Sequence, residues 1–193
     1  MNADVDAGGL TLRTERLLLR PWRPGDLDDL FAITSQAAVM RNLGQLPHAD
    51  REEARSMLDR FMAGRNKLAL EYGGRAVGSL GIERYAEHAY PKLCDLSCRE
   101  LSFMLSPSCW GLGLMTEAVR EILRWLFEEK RLDAVLCGHF VSNARSARVQ
   151  EKCGFTHFAY RKYTTKWGTE EDDELNVLTR EEWFRGVGRT SGA

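Results

Sequence analysis

No apolar run in this chain of 193 residues approaches the length that spans a bilayer. The opening residues, Met1-Asn2-Ala3-Asp4-Val5-Asp6, are acidic and lack the hydrophobic centre of a signal peptide. Charge of one sign is lacking as well. The 27 basic residues against 28 acidic ones leave a formal net charge of -1, so no global basic excess points to nucleic acid. Cysteine is sparse and unpatterned: Cys94, Cys98, Cys109, Cys137 and Cys153 are odd in number and irregular in spacing, which predicts no disulfide framework. Cys94 and Cys98 have no second ligand pair at metal-binding spacing, so no metal is expected. Repeats, low-complexity blocks and long linkers are missing. These absences leave a cytoplasmic globular protein with neither a membrane nor a direct nucleic-acid partner as the expectation.

What is present suits one domain. Hydrophobic residues make up 44% and charged residues 28%, enough to build a core and too apolar for a wholly disordered chain. Small, acidic residues 1–9 and Gly/Ser/Arg-rich residues 186–193 read as flexible tails around a domain of residues 10–185.

Leu17-Leu18-Leu19 reads as a strand stopped by Pro21, and Pro24-Gly25-Asp26 as a turn with Asp26 capping a helix. A second helix fits residues 50–62. Two extended runs, 67–72 and 75–83, flank Gly73-Gly74, which predicts a two-residue hairpin because positive φ costs glycine little. Strands are expected over 101–105, 134–141, 155–166 and 174–178. Helices are expected over 116–129 and 144–152, with Gly154 closing the latter. The alternation predicts an α/β domain built on one mixed sheet.

The stretch that carries chemistry runs from Glu100 through Phe103-Met104-Leu105 into Trp110-Gly111-Leu112-Gly113-Leu114-Met115-Thr116. A strand enters a glycine-containing turn, and the turn opens a long helix. Glycines let a ligand approach the backbone, and the free N–H groups of a helix start attract an anion such as a pyrophosphate. From two glycines alone, a ligand-free tight turn is an equal alternative. A dinucleotide fingerprint fails at Thr116, where a third glycine belongs, and no Gly-Lys-Ser/Thr makes a Walker loop.

Taken in order, the motifs Thr14–Arg20, Pro24-Gly25-Asp26, Gly78–Ile82, Glu100–Leu105, Trp110–Gly113, Thr116-Glu117-Ala118, Asn143–Ser146 and Glu151–Phe155 resemble the GNAT superfamily of acetyl-CoA-dependent N-acetyltransferases. Within it they look most like the RimJ/RimL-type group, whose best-known members acetylate the N-termini of ribosomal proteins. The resemblance covers about residues 11–184. It implies a single-domain acyl-CoA N-acyltransferase fold: a central, mostly antiparallel mixed sheet with a splayed strand pair, flanked by helices.

The resemblance also implies roles. The superfamily's phosphate loop, Gln/Arg-x-x-Gly-x-Gly/Ala, falls on Trp110, Gly113 and Met115. Gly113 matches, Trp110 is common in the RimJ/RimL-like group, and Met115 departs from the small final residue. Backbone amides from Gly111 to Thr116 would hold the phosphates, provided Met115 turns its side chain away. Phe103, Met104 and Leu105 would meet the pantetheine arm, or serve simply as buried strand. Asn143 would bind the pantetheine amides, or merely cap a helix. Many relatives carry a tyrosine where this chain has Gln150; the resemblance to RimJ/RimL-like members, which use a serine instead, makes Ser146 the candidate donor to the leaving thiolate, with an ordinary helix-start serine as the alternative. Glu100 is the candidate base, against an exposed strand-end carboxylate. Glu117 reads as structural, the acidic run 170–174 as a solvated loop with attraction of a cationic amine acceptor as the alternative, His139 as core, and Arg148 and Lys152 as surface cations near the nucleotide. The implied reaction is acetyl transfer from acetyl-CoA to a primary amine, first a protein or peptide N-terminus, second an aminoglycoside, polyamine or amino acid. A non-catalytic acyl-CoA-binding module is the alternative of a different class. Monomer and homodimer fit equally well.

Overall fold

The structure is a computed structural model that describes residues 1–190, with side chains described through residue 186. In chain order the strands and α-helices are β1 (Leu12–Arg13), β2 (Leu18–Pro21), α1 (Leu27–Thr34), α2 (Ala37–Met40), α3 (Arg51–Gly64), β3 (Lys67–Tyr72), β4 (Arg75–Glu83), β5 (Cys98–Leu105), α4 (Leu114–Arg124), β6 (Ala134–Phe140), α5 (Ala144–Lys152), β7 (Thr156–Thr164), β8 (Glu170–Thr179) and α6 (Arg180–Thr190). The strands form one sheet in the order β1-β2-β3-β4-β5-β6-β8-β7. Every pair is antiparallel except β5 with β6. Among the described residues no helix is long and apolar enough to cross a membrane.

Local chemistry explains much of this. Gly73 (φ 59°) and Gly74 (φ 79°) both sit in the left-handed region, and the β3–β4 hairpin closes on them. Helix α5 starts at Asn143, whose side chain accepts from the Ser146 N–H, and gives way to Gly154 at φ 90°. Helix α4 turns Leu114, Met115, Ala118, Val119, Ile122 and Leu123 into the main core with Leu68, Leu70, Leu80, Ile82, Leu101, Val135 and Cys137 of the sheet. The opposite face of the sheet packs Ala69, Ala76 and Met104 against Leu30, Ile33 and Leu58 of α1 and α3. Alternation along β5 therefore sends Leu101 toward α4 and Met104 toward α1 and α3.

Several expectations need correcting. Residues 1–9 are not a tail: Asn2 pairs with Cys98 beside β5, and Val5 and Ala7 are buried in the main core. Alternation explains it, because Asp6 between them points outward to Arg65 at 2.7 Å. At the other end α6 runs through residues 186–190 of the expected second tail, and residues 191–193 lie outside the described residues. Asp26 does not cap α1. Its carboxylate instead accepts from Arg20 Nη1 and Nη2 at 2.7 and 2.8 Å and from the Arg23 N–H at 2.8 Å. The long helix expected to reach 129 is α-helical only to Arg124 and then widens into a π-turn over Trp125–Glu129. Residues 170–174 are no loop but the first half of β8, where alternation buries Asp173 and leaves Glu170 and Asp172 exposed.

Candidate active site

Strands β5 and β6 pair in parallel from Cys98–Ala134 to Leu101–Cys137 and no further. Beyond that point they diverge, since β5 stays with β4 to Leu105 while β6 stays with β8 to Phe140. The fork opens a cleft of about 550 Å³ lined by both strands, the loop before α4 and the start of α5. A strand whose partner leaves exposes backbone groups, and Phe103, Met104 and Leu105 all line this opening. The Leu105 carbonyl, beyond the last β5–β6 pair, accepts from the indole Nε1 of Trp110 at 2.9 Å.

On the α4–α5 face, Gly111 (φ 78°) and Gly113 (φ 80°) take left-handed conformations that let the loop fold flat before the helix. The first helical hydrogen bond joins the Glu117 N–H to the Gly113 carbonyl at 3.1 Å, so the N–H groups of Leu114, Met115 and Thr116 precede it and have no intrahelical partner. Trp110, Gly111, Gly113, Leu114, Met115 and Thr116 line the cleft. Leu112 does not: its side chain is exposed. Met115 is buried in the main core, so its bulk lies beneath the loop. The loop is anchored from behind by Arg16, whose Nη1 donates to the Leu112 carbonyl at 2.9 Å and whose Nε donates to Glu117 at 2.7 Å. Burial pushes the Glu117 carboxyl up, but hydrogen bonds from Thr14 and Arg16 outweigh it and hold the group below its ordinary value. Arg145 stacks 4.2 Å above the Trp110 ring and joins the loop to α5.

The start of α5 supplies Asn143 and Ser146, both lining the cleft. Asn143 Oδ1 accepts from the Ser146 N–H at 3.2 Å, which realises the capping alternative, and Asn143 Nδ2 has no hydrogen-bond partner among the described residues. Ser146 is 8% exposed. Its Oγ accepts from Gln150 Nε2 at 3.3 Å. Arg148 and Lys152 also line the cleft.

The other face of the fork carries Glu100. Register pairs share a face, and Arg161 on β7 lies opposite Asp173 on β8, itself opposite Phe140. Arg161 Nη2 donates to Glu100 Oε1 at 2.7 Å and its Nε donates to Asp173. Burial disfavours the guanidinium's charge, but hydrogen bonds and charges from Glu100 and Asp173 more than offset this and raise its pKa. The second oxygen of Glu100 has no hydrogen-bond partner among the described residues. Gly138 lies beneath Arg161: a Cβ there would come within 2.7 Å of Arg161 Nη2 and 3.0 Å of Asp173 Oδ2. Val39, Asn42, Leu43, Phe140 and Tyr163 complete this side.

The sequence offers three motif-free segments as the expected acceptor wall, residues 41–48, 85–97 and 163–173, and the structure brings together 41–48 and 163–173. The Gly44 carbonyl accepts from the Lys166 N–H at 2.7 Å, the Gln45 carbonyl accepts from Trp167 Nε1 at 2.8 Å, and Arg41 stacks 4.8 Å from Trp167. The third, residues 85–97, packs elsewhere: Tyr85 and Leu93 share a cluster with Cys98, Ala134 and Leu136. His139 is buried with Nδ1 unpartnered and Nε2 3.8 Å from Glu174, so it is core in burial but not satisfied, and it lines the cleft. Arg161 and Gly138 were not singled out from sequence, and Asp173 was noted only as part of the acidic run 170–174. The usable signal was the alternation of Asp173 with Leu175, which marks a strand rather than a loop.

The chain is similar to known proteins in sequence and in fold. Residues 16–156 match the model of the acetyltransferase (GNAT) domain. The FsC-acetyl coenzyme A-N(2)-transacetylase of Aspergillus fumigatus is 38% identical over 98 residues, 49% of this chain and 42% of that protein, so the match spans under half of the relative's length. The uncharacterized N-acetyltransferase YoaA of Bacillus subtilis is 25% identical over 177 residues, 88% of this chain and 96% of its own. A solved acetyltransferase (GNAT family) from Bacillus anthracis superposes with a TM-score of 0.77 at 22% identity, covering 89% of this chain and 99% of the other.

Proposed function

This chain belongs to the GNAT family of acetyl-CoA-dependent N-acetyltransferases, and on that premise we propose that it acetylates a primary amine by direct attack in a ternary complex, with Glu100 and Ser146 as its catalytic residues. The cleft fits acetyl-CoA. Free N–H groups at the start of α4 suit its pyrophosphate, and the diverging edge of β5 suits an arm that adds alongside a strand. In this reading Gly111, Leu112, Gly113, Leu114, Met115 and Thr116 contribute backbone to the phosphates, with Trp110 at the loop's mouth. Phe103, Met104 and Leu105 flank the arm, and Asn143 offers its amide nitrogen to it.

Acetyl-CoA supplies the thioester, whose C–S bond breaks as the amine's N–C bond forms. The observation that carries the proposal is the fork itself: Ser146 stands on the α5 face and Glu100 on the other, with the cleft between them. An amine approaching from the Glu100 side gives up its proton to the free carboxylate oxygen, directly or through one water. Ser146 donates a hydrogen bond to the departing sulfur. Glu100, Asp173 and Arg161 together leave one net negative charge on the amine side, which favours a cationic acceptor.

Trp110 and the serine at 146 are the RimJ/RimL-like features, and they support a protein or peptide N-terminus as acceptor. The tie between residues 44–45 and 166–167 stands beside the cleft and favours a slender, end-on acceptor. A second reading, a small-molecule amine, is favoured by the N(2)-transacetylase activity named for the Aspergillus relative. Cytoplasmic residence belongs to the same proposal, supported by five free thiols.

Calorimetric titration tests the cofactor: acetyl-CoA is expected to bind saturably, NADH not at all, and Gly113→Glu to abolish acetyl-CoA binding in a folded protein. An acceptor panel then decides between the readings. Acetylation of free but not Nα-blocked peptides supports the N-terminus, turnover confined to small amines supports the second reading, and no turnover with any amine overturns the enzymatic proposal.

A further inference from the structure

Gln150 is 1% exposed, so its amide must find its hydrogen bonds inside the protein. It finds them. Nε2 donates to the Gly138 carbonyl at 3.2 Å and to Ser146 Oγ at 3.3 Å, and Oε1 accepts from Asn176 Nδ2 at 2.8 Å. A backbone carbonyl can only accept, so Gly138 fixes which end of the amide is nitrogen. Asn176 on β8 holds the other end, and the side chain is locked between β6, β8 and its own helix.

The consequence falls on Ser146. A hydroxyl has one hydrogen and accepts through its lone pairs. Here the oxygen is already accepting from Gln150, and among the described residues nothing accepts the hydroxyl hydrogen. We infer that Gln150 is a positioning residue that commits the Ser146 hydrogen to the cleft, making the serine a donor there. The inference rests on the proposed role of Ser146 at the leaving sulfur and deepens it. It also assigns a use to the position where many relatives carry a tyrosine: the glutamine does not meet the reacting atoms but sets the polarity of the group that does.

A double-mutant cycle tests it, because a purely structural glutamine would act whether or not the hydroxyl is there. Gln150→Met is expected to lower kcat about tenfold and leave KM for acetyl-CoA within about twofold. Ser146→Ala should lower kcat by at least as much, and adding Gln150→Met to it should cost nothing further. Gln150→Glu provides a second variant of the same shape. Whether its carboxyl group is ionised or carries one proton held by the Gly138 carbonyl, it donates nothing to Ser146 and can accept the Ser146 hydrogen, so it should slow turnover more than Gln150→Met does, again only when Ser146 is present. Circular dichroism and acetyl-CoA titration confirm that each variant folds. Equal losses from the Gln150 changes with and without Ser146, or wild-type kcat in both Gln150 variants, would overturn the inference while leaving the enzyme intact. Absence of turnover by the wild-type protein would instead overturn the proposed function, and this inference with it.

Discussion

Arg161 Nη2 reaches Glu100 Oε1 at 2.7 Å from β7, three places along the sheet from the strand that carries the glutamate. The same guanidinium donates to Asp173, so one side chain spans the point where β5 and β6 part company. The carboxylate nearest the fork is thus held by a contact between residues 61 positions apart in the chain.

Arg161→Met removes the cation between two acidic groups, one of them, Asp173, only 4% exposed. Leaving a buried carboxylate without its partner is costly, and a loss of about 3 kcal/mol in unfolding free energy is expected by denaturant titration at neutral pH. Arg161→Lys should recover only part of it, since an ammonium lacks the fork that serves Glu100 and Asp173 together. Full stability in both variants would show that the bridge contributes little.

Gly138→Ala adds a single methyl group under that bridge. The new Cβ meets Arg161 Nη2 at 2.7 Å, closer than real contacts allow, and Asp173 Oδ2 at a tight 3.0 Å, so the guanidinium must lift. Because the group is pinned at both ends, a stability loss of about 1–3 kcal/mol is expected. Turnover should fall with it as Glu100 moves. Acetyl-CoA affinity, measured by calorimetry, should change little, because the phosphate loop lies on the other face.

Glu100→Gln keeps an oxygen for Arg161 and removes the base. The prediction is a fall of about 100-fold in kcat with acetyl-CoA binding unchanged and the thermal midpoint within a few degrees of wild type. Activity that survives this change would move the proton acceptor elsewhere, and the buried, unpartnered Nδ1 of His139 would be the next group to test.

What the sequence made legible was local. Gly73-Gly74 sets its hairpin, Asn143 starts its helix, and the loop from Trp110 to Thr116 is a contiguous signature whose strand, turn and helix are all nearby. Even the question raised by Met115 has a local answer, because its side chain belongs to the apolar stripe of α4 and turns into the core. Arg161, Gly138 and Asp173 were silent for the opposite reason. Each gains its meaning only when β5, β6, β7 and β8 lie side by side, and an acidic run looks solvated until alternation turns one member inward. Gln150 was visible as a departure from a pattern, but its partners Gly138 and Asn176 come from other strands.

Asp26 offers a stability test whose direction with pH is fixed by its environment. Its carboxylate is 7% exposed and bidentate with Arg20, which also donates to Glu71 at 2.6 Å. Burial pushes the Asp26 carboxyl up, but hydrogen bonds from Arg20 and the Arg23 N–H more than reverse it, and the group stays below its ordinary value. A carboxyl whose folded pKa is depressed binds its proton more readily in the unfolded chain. Its contribution is therefore complete above the unfolded value of about 3.9 and is lost as pH falls through the folded value. Asp26→Asn, which keeps one oxygen for Arg20 but leaves Glu71 as its only counter-charge, should cost about 3 kcal/mol at pH 7. The gap from wild type should narrow below about pH 4, as wild-type Asp26 takes up its proton. Urea titrations from pH 7 down to pH 3 measure both arms, and a gap that stays constant across that range would mean the aspartate acts through its shape rather than its charge.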